Sequence, residues 1–538
     1  MQPKYNLSQQ GLGAIPIIDH FINGISLPAL LEKTFKNRRY SEAILLLIKN
    51  VIIERHALYG IREWASWFDP SLVYGGDISD DTTARALDRL FEVDRSSLLT
   101  HIVMNIAQTY GLDLSEIHQD TTSVKLSGTY VKQNKKAVQL KHGHSKDHRP
   151  DLKQLVYALS VTRDGAIPIH FKAYDGNRTD DTLHWNTWQT LRGILGRSDF
   201  LYVADSKLCV EQTLLNIDRN QGRFITVLPR TRKEAPTFNN KLLTSDVRWE
   251  KIYTKRSTRK SKIIDVYEIA SGFYQTQEGF RLYWFRSSEK RKHDHDNREE
   301  RILSALNCLS ELNNSSRKKR NKTFQKEVEK ILERFQAKSW IDVDVTLESV
   351  NEFKQKTRGR ATENTAYKKI TRQIPRITCR RNFDGVARSE AMDGTFPLVT
   401  NTKIESIDVL KCYKYQPTLE KRHSTLKSIM QVAPIFLKKN DRIEALMFVY
   451  FIAQAISALI ERQLRQAMVR HGKETIQILP EDRASKHPTT EQVLRIFQHQ
   501  ARRLLFSGKK HLQTFSETLS NIQKEILKLL EISTEIYA

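Results

Sequence analysis

Residues 200–205 read FLYVAD, a short apolar run that ends directly on Asp205. Continuous apolar runs of this length are typical of strands that are buried on both faces of an α/β sheet. In such sheets, ligands bind beyond the carboxyl ends of the strands. The run therefore predicts a central strand, and Asp205 is the first candidate site residue.

The sequence around this run alternates between strand and helix patterns. Strands are predicted at residues 114–124, 154–162, 167–174 and 222–228, and a helix at residues 181–195. Asp120 lies within the first of these strands. Strands mixed with helices in this way predict an α/β fold whose central strand is covered on both faces.

Outside this region, most of the secondary-structure patterns are helical. Helices are predicted at residues 17–31, 40–53, 80–109 and 512–529, with Ser79 as the N-cap of the third, and a strand at 395–400. The 3-4 spacing of apolar residues in the last helix fits either packing onto the chain's own body or a coiled-coil seam. Residues 445–460 are apolar but too short for a membrane span and contain Gln454, so we expect a buried helix.

Composition points to a folded protein with an anionic partner. The chain has 538 residues, with 87 Lys and Arg against 62 Asp and Glu, a net charge of +25. The hydrophobic share of 39% excludes disorder along the whole chain, and four scattered cysteines without a CxxC pair argue against a disulfide scaffold or a Cys-based zinc site. The basic runs between residues 254 and 381 favour nucleic acid, with a solvated surface as the alternative.

Residues 413–427 read YKYQPTLEKRHSTLK and hold the third acidic candidate, Glu420. Tyr413, Gln416, Glu420 and Lys427 have helical spacing and would share one face of a continuous helix. Pro417 is best placed in the first turn of a helix, so we expect the helix to start near residue 418.

Asp120, Asp205 and Glu420 together offer hard oxygen ligands. Three convergent carboxylates can hold two Mg²⁺ ions about 4 Å apart, the arrangement that supports in-line displacement at phosphorus. For any one acidic residue, a surface position or a helix cap remains the alternative.

Several motifs occur in an order that resembles a known family. They are GHSKDHRPDLKQ at residues 143–154, DGN at 175–177, DGTFPLVTNT at 393–402, and the Tyr413–Lys427 spacing, Y-x2-Q-x3-E-x6-K. The chain is similar over nearly its whole length to DDE-type insertion-sequence transposases with a Y-x2-R-x3-E-x6-K signature. Gln416 stands where that signature has Arg.

The resemblance implies an RNase H-like core with a mixed central sheet, in which Asp120, Asp205 and Glu420 are the catalytic residues and bind two Mg²⁺ ions, with Mn²⁺ as a substitute. It implies an all-α N-terminal domain, an α+β insertion and a helical C-terminal region. The predicted layout is a DNA-end-binding domain at 1–112, the first part of the core at 113–230, a basic insertion at 231–392, the second part of the core at 393–470, and packing or dimerisation helices at 471–538.

The resemblance also suggests residues that contact DNA. Tyr413 and Lys427 are expected to contact the element end near the cut, and the departure at Gln416 weakens an Arg–phosphate contact there. Trp284 is the candidate for holding a flipped base, with Trp249 and Trp340 as competitors and a core position as the alternative. The remaining candidate DNA-binding residues are Gln416, Lys421, Arg422, Lys146, Arg149 and Lys153.

The implied function is cut-and-paste transposition: Mg²⁺-dependent cleavage at the element ends, then attack of the freed 3′-hydroxyl on target DNA. The partners would be double-stranded DNA, as terminal inverted repeats and as target, and a second copy of the chain, with no membrane, in prokaryotic cytoplasm at the nucleoid. Two alternatives stay open. One is a catalytically silent, transposase-derived DNA-binding protein, and the other is a metal-dependent nuclease of the same fold without strand transfer.

Overall fold

The computed structural model describes residues 5–538 except 129, 131–132, 144–150, 179–182, 245–246, 257–262 and 315–320. The chain forms two units. Unit 1 comprises residues 1–226 and 400–538, and unit 2 comprises residues 227–399. All three candidate carboxylates belong to unit 1.

The N-terminal part of unit 1 is mainly helical. It contains strand β1 (Tyr5–Gly11) and helices α1 (Ile15–Gly24), α2 (Leu27–Phe35), α3 (Arg38–Ile53), α4 (Ile61–Ser66), α5 (Asp80–Glu92) and α6 (Arg95–Tyr110). As predicted, Ser79 caps α5, since its side chain accepts a hydrogen bond from the Thr82 N–H. Two predicted helices are each divided in two, at residues 25–26 and 93–94, and β1 was not predicted.

A mixed β-sheet and the helices between its strands follow along the chain. The elements are β2 (Glu116–Leu126), β3 (Lys153–Thr162), β4 (Pro168–Asp175), α7 (Leu183–Leu195), β5 (Leu201–Val203), α8 (Glu211–Arg219) and β6 (Arg223–Val227). The strand order is β4-β3-β2-β5-β6; β2, β3 and β4 pair antiparallel, whereas β5 runs parallel to both β2 and β6. This confirms the α/β fold, and FLYVAD supplies the strand beside β2.

Gln154, at the end of one resemblance motif, contacts Gly176 in the motif at residues 175–177, where β3 and β4 pair. The Gln154 side chain donates to the Gly176 carbonyl at 2.8 Å, and Asp175 accepts from the Gln139 N–H at 2.9 Å. A Cβ at residue 176 would lie 2.0 Å from the Gln154 carbonyl oxygen. Only glycine fits this close approach of two backbones.

Unit 2 is an α+β structure. Its elements are α9 (Glu234–Thr244), β7 (Trp249–Arg256), β8 (Ile263–Ala270), β9 (Tyr274–Gln275), β10 (Arg281–Ser287), α10 (Ser288–Asn314), α11 (Asn321–Arg334), β11 (Ile341–Gln355), β12 (Tyr367–Arg381), α12 (Phe383–Met392) and β13 (Thr395–Thr400). Strands β13, β10, β8 and β7 neighbour one another in that order, and β11 pairs only with β12 among the described strands.

A buried ion pair fixes the end of unit 2. Arg298 on α10 binds Asp393 through both guanidinium nitrogens, at 2.8 and 2.9 Å. The adjacent Gly394 has φ of +76°, and its N–H donates to Asp294. A Cβ there would lie 2.5 Å from the Ser287 carbonyl oxygen, which explains glycine in the Asp393-Gly394 motif.

The chain then re-enters unit 1 with α13 (Ser406–Tyr413), α14 (Gln416–Ser424), a π-helical turn (Thr425–Ile429) and the long α15 (Asn440–Arg470). By length and composition α15 could cross a membrane, but 94% of its most apolar window is buried. Phe448 and Phe451 pack on Phe171 of β4, with ring centroids 5.6 and 5.0 Å away. The apolar segment is therefore the core helix that the sequence predicts.

The C-terminal region differs from its prediction. It contains β14 (Ile476–Gln477), β15 (Ala484–Ser485), α16 (Thr490–Phe497), β16 (Ala501–Ser507), β17 (Lys510–Ser516) and α17 (Asn521–Leu529). The predicted helix at 512–529 is wrong over its first part, which is a strand. β16 and β17 form a hairpin, and β1 pairs antiparallel with β16 along its whole length. The backbone hydrogen bonds of β1 therefore come from residues about 500 positions away.

Lys49 forms a buried ion pair among the N-terminal helices. Its side chain is 2% exposed, lies 2.7 Å from Asp19 and donates to the Leu72 carbonyl at 2.7 Å. Burial lowers the pKa of Lys49 and raises the pKa of Asp19, while the attraction between the two charges opposes both shifts. The pair therefore depends on both partners being present.

We expect Lys49→Met to destabilise unit 1 by about 3–5 kcal/mol, because it leaves Asp19 buried without its counter-charge. The double variant Lys49→Met with Asp19→Leu should recover most of the loss. Calorimetric Tm values measure both, with Lys33→Met, an exposed lysine of α2, as the control. A double variant as unstable as the single one would contradict this account.

Candidate active site

Asp120 and Asp205 occupy equivalent positions on neighbouring parallel strands. The register pairs His118 of β2 with Val203 of β5, and each aspartate follows two residues later. Adjacent strands lie about 4.8 Å apart. Asp120 has a side chain 25% exposed, and Asp205 has one 48% exposed. The two strands therefore bring both carboxylates to the same level of the sheet, just beyond the end of β5 and within reach of solvent.

Glu420 comes from α14, whose start is held against the end of β5. The Gln416 side-chain N–H donates to the Val203 carbonyl, at a long 3.5 Å. The helix begins at Gln416, two residues before the predicted start, since Pro417 occupies its first turn. Glu420 lies one turn further on and is exposed.

Tyr413 lies near all three candidate carboxylates. Its pKa is raised to about 12, first by burial and then by the negative charges of Asp205, Glu420 and Asp120. The charges of all three groups act on this one phenol, so they lie in its neighbourhood. The contacts of α14 with Asp120 through His423 and with Val203 through Gln416 place the helix of Glu420 beside the strands of the two aspartates. That these residues form one functional site stays a prediction.

Two histidines lie beside the aspartates. His423 Nε2 is 3.7 Å from Asp120 Oδ2, and His184 Nε2 is 3.8 Å from Asp205 Oδ1. His184 Nδ1 also lies 3.1 Å from the Tyr202 hydroxyl. The sequence analysis did not select His184, since it belongs to α7 and no local pattern connects it with a residue 21 positions later.

A polar cluster around Glu116 fastens the segment before Glu420 to β2. Glu116 accepts from Arg163 at 2.8 Å and from the Cys412 thiol at 3.2 Å, and His118 Nε2 lies 2.8 Å away. The His118 ring also contacts Tyr415, with centroids 4.9 Å apart. The junction between α13 and α14 is thus bound to the strand that carries Asp120.

These contacts shift pKa values in opposite directions. Burial acts to raise the pKa of Glu116, but the hydrogen bonds from His118 and Arg163 outweigh it, and the net pKa is lowered. The pKa of Cys412 is raised to about 12 by burial and by the charge of Glu116. Glu116 is therefore ionised opposite Arg163, whereas the Cys412 thiol keeps its proton.

Arg422, a predicted DNA contact, is buried inside unit 1. Its guanidinium pairs with Glu461 at 2.9 Å and donates to the carbonyls of Ala166 and Gly165 at 3.1 and 2.9 Å. These bonds join α14 to α15 and to the turn between β3 and β4. The side chain therefore fixes the helix that bears Glu420.

The other predicted DNA contacts on this segment differ in exposure. Lys421 is exposed beside Glu420, Lys427 is half-buried in the π-helical turn, and Lys153 begins β3. Lys146 and Arg149 lie outside the described residues.

Trp284 is in unit 2 and only 3% exposed, stacked on Phe238 with centroids 3.9 Å apart. It borders a cleft of about 620 Å³ that is also lined by Trp340, Arg230 and Arg301. The stacking favours a core role for Trp284, and its role with a flipped base stays a prediction.

The donor set suits a hard cation only in part. Within residues 5–538, leaving out the undescribed segments, no group of three or more His, Cys, Asp or Glu side chains is arranged to hold one metal ion. Mg²⁺ does not require a protein cage, because it is usually bound by one or two carboxylates together with waters and substrate phosphates. Carboxylates on neighbouring strands fit that mode of binding.

Comparison with known proteins adds little. No protein-family model matches the chain, and no curated protein is similar to it. Among solved structures, the chain resembles a piggyBac transposase synaptic complex with hairpin DNA, at 11% identity and a TM-score of 0.28. The match covers 45% of this chain and 54% of that one. A likeness at this TM-score shows neither a family nor a function for this chain.

Replacing Glu116 with Gln should destabilise unit 1 by about 2 kcal/mol at neutral pH, because hydrogen bonds to a charged acceptor are lost. The folded pKa of Glu116 is lowered, so its contribution is present above the unfolded value, about 4.3, and is lost as pH falls through the folded pKa. The Tm difference between wild type and Glu116→Gln should therefore be large at pH 7 and small at acid pH.

Calorimetry across pH 3–7 measures this difference, and Glu54→Gln, with a side chain 73% exposed, serves as the control. A difference that does not change with pH would refute the assigned ionic role of Glu116.

Proposed function

We propose that this chain is a DDE transposase of an insertion sequence, which binds the element ends, cleaves them and joins the freed 3′-hydroxyl to target DNA. The observation that carries the proposal is geometric: Asp120 and Asp205 have equivalent register positions at neighbouring strands, and the helix of Glu420 contacts both strands through His423 and Gln416. Asp120 and Asp205 are 85 residues apart along the chain, and Glu420 lies a further 215 residues on. Such convergence is what catalysis by acidic residues requires.

The proposal includes an RNase H-like description of the core. It is supported by the mixed sheet, in which the strand bearing Asp120 and the strand that ends two residues before Asp205 are parallel neighbours. It is also supported by the motifs at residues 143–154, 175–177 and 393–402, which occur in the order that the resemblance implies.

Asp120, Asp205 and Glu420 are the residues that would hold two Mg²⁺ ions, or Mn²⁺ in their place. When bound, these ions activate the attacking water or hydroxyl and stabilise the leaving oxygen in an in-line displacement. The chain supplies the positioning: β2 and β5 fix the two aspartates, and Arg422 fixes the helix of Glu420 through Glu461.

Tyr413 would contact DNA as a neutral donor. With a pKa of about 12, its phenol keeps its proton at neutral pH and can donate a hydrogen bond to a phosphate without adding negative charge. The exposed Lys421 and the half-buried Lys427 would contribute positive charge, whereas Gln416, a neutral amide, would contribute only hydrogen bonds. These residues are our proposed contacts to the element end.

The remaining parts of the proposal rest on the resemblance. They are the five-part domain layout, a homodimer that bridges two DNA ends, terminal inverted repeats as the bound sequence, and a place at the prokaryotic nucleoid in the cytoplasm. The net charge of +25 supports a DNA partner.

The decisive experiment uses a linear duplex that carries the DNA flank of the gene encoding this chain. Wild-type protein should nick the flank boundary with Mg²⁺ but not with EDTA. Glu420→Gln should lower the cleavage rate by at least 100-fold without weakening binding. Glu405→Gln, an exposed glutamate before α13, is the matched control and should cut normally. Denaturing gels measure cleavage, and gel shifts measure binding.

The alternatives predict other results. Salt-sensitive binding without any cut supports the silent DNA-binding protein, whereas Glu420-dependent cutting at random positions supports a nuclease without strand transfer. A cut that survives Glu420→Gln would refute the assigned triad.

A further inference from the structure

The most extended feature of unit 2 is the ribbon formed by β11 and β12. The two strands have 15 residues each and pair without a break from Ile341–Arg381 to Gln355–Tyr367. At about 3.3 Å per residue the ribbon is roughly 50 Å long. It belongs to no larger sheet among the described residues.

The ribbon is packed over its inner half, as far as Ile374, which is 2% exposed. Ile341 belongs to the core of unit 2, with Val343, Val345 and Ile377 against it. The Asn313 side chain of α10 bonds both the N–H and the carbonyl of Ile377. Further out, Leu347 is 50% exposed and Phe353 is 66% exposed. The outer half therefore projects away from the core of its unit.

Charge is divided sharply along the ribbon. The stem, residues 341–352 and 370–381, contains four acidic and four basic residues and is neutral. Two of its arginines are paired across the strands, Arg376 with Glu348 at 2.7 Å and Arg372 with Glu352 at 3.4 Å. The tip, residues 353–369, has one acidic residue, Glu363, and six basic ones, a net charge of +5. The basic residues, all exposed, are Lys354, Lys356, Arg358, Arg360, Lys368 and Lys369.

Two of these charges oppose each other directly. Lys354 and Lys368 are partners in the register and so point to the same face, and among the described residues neither forms an ion pair. Like charges directly across a ribbon are destabilising, which an anionic ligand would relieve. The other face of the tip presents Phe353 and Tyr367, 66% and 49% exposed, with Lys369 opposite Phe353.

We propose that the tip of this ribbon is a DNA-binding arm that enters a groove of duplex DNA, with its lysines on the phosphates. A two-stranded β-ribbon fits the major groove, which is about 12 Å wide. The neutral, ion-paired stem then acts as a spacer and only the tip contributes to binding. This inference rests on the proposed function for its choice of duplex DNA as the partner, but not on the carboxylate site.

The test removes four charges from the tip, with Lys354, Lys356, Lys368 and Lys369 each changed to Gln. The matched control removes four exposed lysines elsewhere in unit 2, with Lys322, Lys326, Lys330 and Lys338 each changed to Gln. Affinity for the flank duplex is measured at several salt concentrations, and circular dichroism checks the fold. A third variant with Arg at the four tip positions keeps the charge.

The slope of log K against log salt is negative, and each lost phosphate contact reduces its magnitude by about 0.9. We expect the tip variant to bind at least tenfold more weakly, with a slope reduced by about 3–4, while the control and the Arg variant bind like wild type. A tip variant that binds like wild type, or a control that loses as much, overturns the proposal. So does a loss confined to single-stranded DNA or RNA, because a groove is then not the target.

The arm and the active site can fail independently. If wild-type protein binds duplex but never cuts it, and the tip variant loses binding, the arm stands and the transposase proposal fails. If cutting requires Glu420 but the tip variant binds and cuts like wild type, the arm fails and the active site stands.

Discussion

The carboxamide of Gln454 is the contact on which the arrangement of unit 1 depends. It is 1% exposed, accepts from the Tyr157 hydroxyl of β3 at 3.2 Å, and donates to the Arg422 carbonyl of α14 at 2.9 Å. A buried amide without partners costs about 1–3 kcal/mol, so α15 has one register that satisfies it. That register sets the position of α14 relative to the sheet. The distance between Glu420 and the two aspartates therefore depends on a polar residue inside an apolar helix.

The central sheet could be predicted because its signals are local. FLYVAD is a buried run bounded by polar residues, and the strands before and after it lie within a few residues of their predicted bounds. The two aspartates could be selected for the same reason, since each belongs to or follows a strand. Glu420 required a spacing argument, and Pro417 led that argument to start the helix two residues late.

The C-terminal hairpin could not be predicted because the contacts that stabilise it are not local in the sequence. Leu512 and Phe515 have helical spacing with the apolar residues of α17, yet they belong to β17. β17 pairs with β16, whose other edge is completed by β1 from the opposite end of the chain. A pattern read over about 18 residues contains no information about such a partner. His184 was missed for a similar reason, because only the fold brings α7 to Asp205.

The basic composition also needs the structure for its interpretation. Arg163 and Arg422 are held in ion pairs that fix segments of the candidate site, and Arg298 is buried against Asp393. The planar guanidinium suits such fixed, multiply bonded positions. These charges are paired with carboxylates of the protein, so they contribute little to the attraction of a polyanion. The positive charge that is available to an anionic partner therefore lies in exposed groups such as Lys421 and the ribbon tip, and a net charge alone does not locate it.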